Sequence, residues 1–222
     1  MALSELTFAR PKDAATLLIV RRDGGAPKVL MGRRHGGHAF MPDKWVFPGG
    51  RIDRCDFAVP AASELRGDVA AALERSAVPS RARALACAAI RETFEETGLL
   101  LARPAPPVRR AGGWGPFLGA GARPDLAALD LIARAITPPA RTRRFDARFF
   151  MADAGALMSL EPGTGSGELD ELAWFDWDAA AALDLPQITR AILADAGLRL
   201  SDPARPVPFH RFVGGKHRLE TI

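Results

Sequence analysis

Three glutamates fall within one helical turn in the run Arg91-Glu92-Thr93-Phe94-Glu95-Glu96-Thr97-Gly98. A helix advances about 100° per residue, so with Ile90 at zero Phe94 falls at about 40°, Cys87 at about 60° and Thr97 at about −20°. On the same scale Glu95 falls at about 140°, Glu92 at about 200° and Glu96 at about 240°. An apolar stripe suited to packing on a sheet therefore faces away from three acids. Like charges this close repel one another, and a divalent cation removes that penalty. A set of oxygen ligands suits Mg²⁺ or Mn²⁺. Arg91, four residues before Glu95, can pair with it and fix its orientation. From spacing alone a solvated acidic face is the commoner outcome. A second feature shifts the balance: Pro48-Gly49-Gly50 follows a short apolar stretch, and glycine lets backbone approach a ligand closely, with carbonyls able to bind metal.

The elements that must position these residues can be read from pattern. Ala14 to Val20 reads as a strand, Arg21 to Gly25 as a turn and Lys28 to Arg33 as the returning strand. Lys44 to Phe47 reads as a short strand stopping at Pro48-Gly49-Gly50, and Arg51 to Asp56 as a polar turn. Ala61 to Arg75 is rich in Ala and Leu and reads as a helix broken by Pro79. Ser80 is the expected N-cap of the acidic helix, which runs to Thr97 and stops at Gly98. Leu99 to Ala102 begins a strand, Arg103 to Arg123 is an excursion, and Pro124 to Arg134 is expected to be a short helix. Phe145 to Ala152 and Glu171 to Asp176 read as strands, Ala179 to Leu183 and Pro186 to Ala196 as helices. The basic tail, Pro206 to Ile222, is expected to add a strand or arm. With no repeat or linker, one domain over 1–222 is expected.

Composition bounds the rest. The 222 residues are 48% hydrophobic, enough for a proper core. A net charge of +4 favours an anionic partner, but basic residues are not interleaved with aromatics, so no nucleic-acid partner is expected. No run of about 18 apolar residues suggests a membrane span. Met1 to Lys12 lacks the apolar centre of a secretory signal, and Cys55 and Cys87 are too few for a disulfide scaffold. A cytoplasmic setting is the expectation.

Together these pieces resemble the Nudix hydrolase signature: Gly, five residues, Glu, seven residues, then Arg-Glu-x-x-Glu-Glu-x-Gly and an aliphatic residue. The second half is intact as Arg91 to Leu99, and Asp56 stands where the family has Glu after Gly50. Gly50 and Arg91 are 41 positions apart where the pattern has 14, an excess of 27. A subgroup that includes coenzyme A diphosphatases has a long insertion at this place. Phe40-Met41-Pro42, Thr137-Pro138, Arg143-Arg144-Phe145-Asp146 and Phe149-Phe150 resemble that subgroup as well. The resemblance spans about Ala14 to Leu193.

It implies an α/β fold, the Nudix α/β/α sandwich around a mixed β-sheet, with a helical insertion at about 57–79 and a C-terminal arm at about 203–222. It implies Mg²⁺- or Mn²⁺-dependent hydrolysis of a diphosphate bond in a nucleoside-diphosphate derivative, with coenzyme A or an acyl-CoA as candidate substrate. By position Glu92, Glu95 and Glu96 would be metal ligands together with the Gly49 carbonyl, and Arg91 would orient Glu95. Glu168 and Glu171, before Trp174 and after the flexible loop Gly163 to Gly167, are candidate bases. Arg33, Arg34 and Arg144, with Arg143 and Arg148 beside them, could contact phosphate, because an Arg fork matches phosphate oxygens, and Gly50 would line the substrate. A small-molecule diphosphate is the expected partner. His35 and His38 flank Gly36-Gly37 and read as part of a polar loop. Cys87 reads as buried filler and Cys55 as no nucleophile. The insertion would cap the pocket or form the interface of a homodimer. Two competing readings are a non-catalytic nucleotide-binding or regulatory Nudix module, which loss of Glu92 or Glu96 would have marked, and a prenyl-diphosphate isomerase, for which no Cys is suitably placed.

Overall fold

The central strand β1 (Lys12–Arg21) is buried along most of its length. Ala15, Leu17 and Ile19 face one core, Leu18 and Val20 the other. A strand covered on both faces reads as a continuous apolar run, which is why Ala14 to Val20 carries no alternation. β1 pairs in parallel with β8 (Phe145–Asp153) and antiparallel with β2 (Lys28–Arg34). The computed structural model describes residues 9–37, 42–110, 112–139 and 141–222. His38, Phe40-Met41 and the first residues of the N-terminal segment lie outside them.

The sheet continues through β7 (Asp130–Ile136), β10 (Pro208–Val213) and β11 (Lys216–Thr221) on one side of β8, in the order β11-β10-β7-β8-β1-β2-β3, with β3 at Trp45–Val46. β10 runs parallel to β7 and antiparallel to β11. β4 (Gly49–Arg51) joins β1, and β9 (Leu169–Asp176) joins β2. Helices α1 (Gly67–Glu74) and α2 (Pro79–Thr97) share one core with one face of the sheet. Helices α4 (Trp177–Ala182) and α5 (Gln187–Ser201) share the core on the opposite face. The fold is an α/β/α sandwich around a mixed sheet. No helix among the described residues is long and apolar enough to cross a membrane.

Several elements differ from their sequence reading, each for a local reason. Pro79 starts α2 rather than breaking a helix before it, because a first-turn position needs no N–H; Ser80 lies inside, and Val78 precedes the helix. The expected helix from Ala61 keeps only Gly67 to Glu74. Ala62 instead donates to Pro124 O at 2.9 Å, and Ser63 bridges Asp125, which ties this stretch down as extended chain. The helix expected over Pro124 to Arg134 is β7, preceded by one 3₁₀ turn at Leu126–Ala128. Pairing with β8 and β10 outweighs its Ala and Leu content. Gly49–Arg51 does not merely end a strand; it pairs with Ala14 to Thr16. The excursion holds a short hairpin, β5 (Ala102–Pro104) with β6 (Ala122–Pro124), enclosing α3 (Gly115–Gly119).

Candidate active site

The acidic end of α2 is not a solvated face. Arg91, Thr93, Glu96 and Thr97 are all buried. Gly98 closes the helix at φ 73°, a left-handed residue that glycine adopts without strain. The last carbonyls are then taken by the loop that follows β8. Gly163 N–H donates to Thr97 O at 3.0 Å and Ser166 N–H to Glu95 O at 2.6 Å. Gly165 lies so close that a Cβ there would stand 2.1 Å from Glu96 O. The Gly-rich loop is therefore a clamp on the end of the helix.

Arg91 is the hub of the site. Its Nε and Nη2 donate to Asp56 at 2.9 and 3.0 Å, and Nη2 also donates to Arg51 O at 2.9 Å. Its Nη1 reaches Glu92 and Glu95, each at 2.9 Å. Asp56 has no exposed surface; it also accepts from Trp114 Nε1 at 2.9 Å and from Asp53 N–H at 2.7 Å. A carboxylate sealed from water is tolerated only when paired and hydrogen-bonded throughout, and this one is. The residue standing where the box has Glu thus anchors Arg91, and Arg91 sets two of the three acids.

Glu96 lies deepest, and its Oε2 accepts the Gly49 N–H at 3.2 Å. Burial and the neighbouring Glu92 push its carboxyl up to about 8, against a smaller opposing pull from Arg34. Glu92 is pushed up to about 6, chiefly by burial and against the pull of Arg91. Glu95 is also raised, first by burial. Glycine is required at Gly49, where a Cβ would stand 2.5 Å from Ala15 O, and at Gly50 it leaves room for the Glu92 carboxyl group, whose carbon a Cβ would meet at 2.4 Å. Gly49, Gly50, Glu92, Arg34 and Glu168 line one open cleft of roughly 1410 Å³.

The donor chemistry fits a hard divalent cation. The buried Glu96 and the half-buried Glu92, whose charge raises the cost of ionising Glu96, stand beside a glycine backbone with no side chain in the way, and a cation offsets that cost. Glu95 is held on Arg91. Among the described residues no three His, Cys, Asp or Glu side chains converge to the separation of a metal cluster. Arg91 holds Glu92 as well, whereas Glu96 is not among its partners, so Glu96 is the acid least committed elsewhere, and Glu92, which lines the cleft, is the next candidate to hold metal.

Known structures carry the same architecture. A NUDIX hydrolase from Alicyclobacillus acidocaldarius aligns with a TM-score of 0.63 at 27% identity, over 87% of this chain and 96% of that one. In fold and in sequence the chain is thus similar to a Nudix hydrolase. The NUDIX domain of Shewanella oneidensis NrtR, in complex with ADP-ribose, aligns at 0.52 and 14% identity, over 87% and 90% of the two chains. A MutT protein from Methanosarcina mazei aligns at 0.50 and 16%, over 87% and 99%. No protein-family model and no curated protein matches the chain.

Arg34 faces the cleft, whereas Arg33, its neighbour on β2, pairs with Glu171 at 3.4 Å across the strand register and does not line it. Glu171 is half exposed on that outward pair, so of the two expected bases Glu168 alone lines the cleft. Arg144 donates to Thr137 O at 3.1 Å and Ala9 O at 2.8 Å, and it lies outside the cleft lining. Arg143 lines the cleft. Arg148 is buried between Asp13 and Asp146, at 3.2 and 2.9 Å. Burial, with Asp53 and Asp56 beside it, raises the Cys55 thiol to about 11, and burial raises Cys87 to about 12; neither is a nucleophile at neutral pH.

Trp114 is the functional residue that sequence reading missed. It is fully buried, donates to Asp56 and meets Phe117 edge to face with centroids 5.0 Å apart. Gly113 beside it leaves space for Glu95, whose Oε1 a Cβ would meet at 2.8 Å. Segment 57–79 does not cap the cleft; Val59, Val69 and Leu73 join the core beside α2, and Phe57 alone of its residues lines the opening.

Proposed function

We propose that this enzyme hydrolyses the diphosphate bond of a nucleoside-diphosphate derivative, with Mg²⁺ or Mn²⁺ held by Glu92, Glu96 and the Gly49 carbonyl. The observation that carries this is the half-buried Glu92, which lines one cleft with Gly49, Gly50, Arg34 and Glu168, together with the buried Glu96, which accepts the Gly49 N–H. ADP-ribose, the ligand of the Shewanella domain, is a compound of this class. Coenzyme A and acyl-CoA remain the substrates that the split box suggests.

When bound, the cation neutralises the diphosphate and lowers the pKa of a coordinated water. The chain supplies the rest. Asp56 and Trp114 lock Arg91, and Arg91 holds Glu92 in its rotamer. Arg34 meets phosphate oxygens with its guanidinium fork. Glu168, carried into the cleft by the clamp on the end of α2, accepts the proton of the attacking water at its carboxylate.

The test is a panel of coenzyme A, ADP-ribose, NADH and nucleoside triphosphates with each metal, for the wild type and Glu96→Gln. Cleavage of a diphosphate that needs the metal and is lost in Glu96→Gln is expected. No cleavage anywhere in the panel would overturn the reading.

A further inference from the structure

One row of residues runs straight across the sheet on the face that α5 covers. It passes from Arg51 on β4 through Ala14 on β1, Ala147 on β8 and Ala135 on β7 to His210 on β10. All five line the cleft. Ala135 and Ala147 belong to the core on the α5 side, together with Phe47, Phe149 and Ile188. Four residues further along, the same face of β1 and β8 carries Leu18 and Met151, which share that core with Ile192 and Leu193 of α5. Large side chains fill the space beneath the helix there, and the three alanines leave a hollow under its start. Phe145 and Phe149, two residues either side of Ala147 and so about 7 Å from it along the strand, also line the cleft. The floor of the hollow is therefore apolar, with an aromatic ring at each side.

The start of α5 brings hydrogen-bonding groups that have no partner. Gln187, Ile188 and Thr189 line the cleft. No side chain caps the helix, and its first bond is Arg190 N–H to Pro186 O at 3.0 Å, so the three N–H groups before it have no partner among the described residues. Thr189 is only 6% exposed, and its hydroxyl makes no hydrogen bond among the described residues. A buried hydroxyl left unpaired costs free energy that a ligand atom in the hollow would recover. The row also sets the reach. Ala147 lies two strand spacings from β4, across β1, which is about 10 Å at about 4.8 Å per strand. Inorganic diphosphate at Gly49-Gly50 does not cover that separation, whereas a diphosphate carrying one sugar and a base does. Accordingly, we propose that the base of the substrate lies on Ala147 between Phe145 and Phe149, and that Thr189 hydrogen-bonds its edge. This rests on the hydrolase reading of the cleft and adds to it where the base lies and which residue selects it.

Ala147→Leu fills the hollow, and Thr189→Val removes the hydroxyl at nearly constant shape. Both, in the full chain, are compared with the wild type on ADP-ribose and on a simple alkyl diphosphate that has no base. The preference for ADP-ribose, as the ratio of the two kcat/KM values, should fall about tenfold or more in Ala147→Leu, since seating a base against aromatic side chains is worth about 5- to 150-fold. In Thr189→Val it should fall about fivefold, through KM rather than kcat. Tm should hold in Ala147→Leu, because the added methyl groups enter open space, whereas overpacking a filled core would lower it by several degrees. An unchanged preference in either variant, equal losses on the two substrates, or a Tm lowered by several degrees in Ala147→Leu overturns the proposal. A second measurement does not need turnover. Binding of adenosine monophosphate and of ribose 5-phosphate is compared by calorimetry. Adenosine monophosphate should bind the wild type about tenfold tighter or more, and the difference should vanish in Ala147→Leu. If the wild type cleaves no diphosphate yet keeps this preference, the hydrolase reading fails and the base site stands. No preference for the base refutes the site whatever the activity.

Discussion

The two ends of the cleft are built in different ways. The carboxylate end is made from residues close in sequence: Glu92, Glu95 and Glu96 lie on one helix, and Arg91 beside them is the hub. The hairpin end is assembled from α5, β10 and β11, with Asp195, His210 and His217 each on a different element. A helix sets relative positions by its own period, so chemistry placed on one helix leaves a motif. Chemistry placed across strand pairs leaves none. The difference also predicts how each end fails. Changes at the carboxylate end should act on kcat, and changes at the hairpin end on the stability of the β10–β11 pair.

The largest effect is expected at Glu96. Glu96→Gln removes a charged oxygen donor while keeping its shape. At several kcal/mol for the stabilisation lost, kcat/KM should fall about a thousandfold or more, with the fold intact by circular dichroism. A fall of less than about tenfold would show that the metal is held elsewhere. Glu95→Gln should cost far less, because Glu95 is turned onto Arg91. Equal losses at the two positions would break the ranking of Glu96 above Glu95.

Next is the support beneath these acids. Asp56→Asn removes the fully buried partner of Arg91 and leaves only Glu92 and Glu95 to balance it, and removing one member of a buried pair costs about 3–5 kcal/mol. In a chain of this length that lowers Tm by about 6–20 °C. Trp114→Phe keeps the buried ring and removes one hydrogen bond to a charged group, worth about 1.5–3 kcal/mol. Its kcat should fall about 10- to 100-fold with KM little changed, as for supports of ligand residues elsewhere. If Trp114→Phe lowered Tm without touching kcat, the indole would be only core.

The pH dependence sharpens the same point. Glu92 and Glu96 are raised to about 6 and about 8 in the folded protein from an ordinary 4.5. The folded state then holds protons that the unfolded chain has already released. Metal-free stability should therefore be greatest below pH 4.5 with respect to these two groups and fall as pH rises to about 8. Thermal melts from pH 5 to 8 test this. Mg²⁺ or Mn²⁺ should raise Tm more at pH 8 than at pH 5, and an equal rise at both would mean that these carboxyls do not take the cation.

What the sequence carried follows the same division. The helix, its Gly98 stop and the intact half of the box are local, and each was legible. The Asp56 contact with Arg91 spans the 27 extra positions; the box spacing placed Asp56 at the family's Glu position but did not mark this contact. Trp114 lies 58 positions from Asp56, in an excursion whose Gly and Pro content reads as loop, so nothing local marks it. β7 was misread because Ala and Leu favour a helix in isolation, whereas its place between β8 and β10 is decided by partners distant in sequence. His210 and Asp195 are unremarkable singly, and only the parallel pairing of β10 with β7 brings them together.

The smallest effect tests which acid serves as base. Glu168 and Glu171 lie three positions apart after the same loop, and sequence alone could not separate them. The strand register does: Glu171 sits opposite Arg33 on an exposed pair, and Glu168 lines the cleft. An exposed pair at 3.4 Å contributes about 0–1 kcal/mol, so Glu171→Gln should shift Tm by a few degrees at most and leave kcat within about twofold. Glu168→Gln should lower kcat about 100-fold, the low end of what a positioned base contributes. Should Glu171→Gln be the more damaging of the two, β9 must present its other face to substrate, and the assignment of the base would move with it.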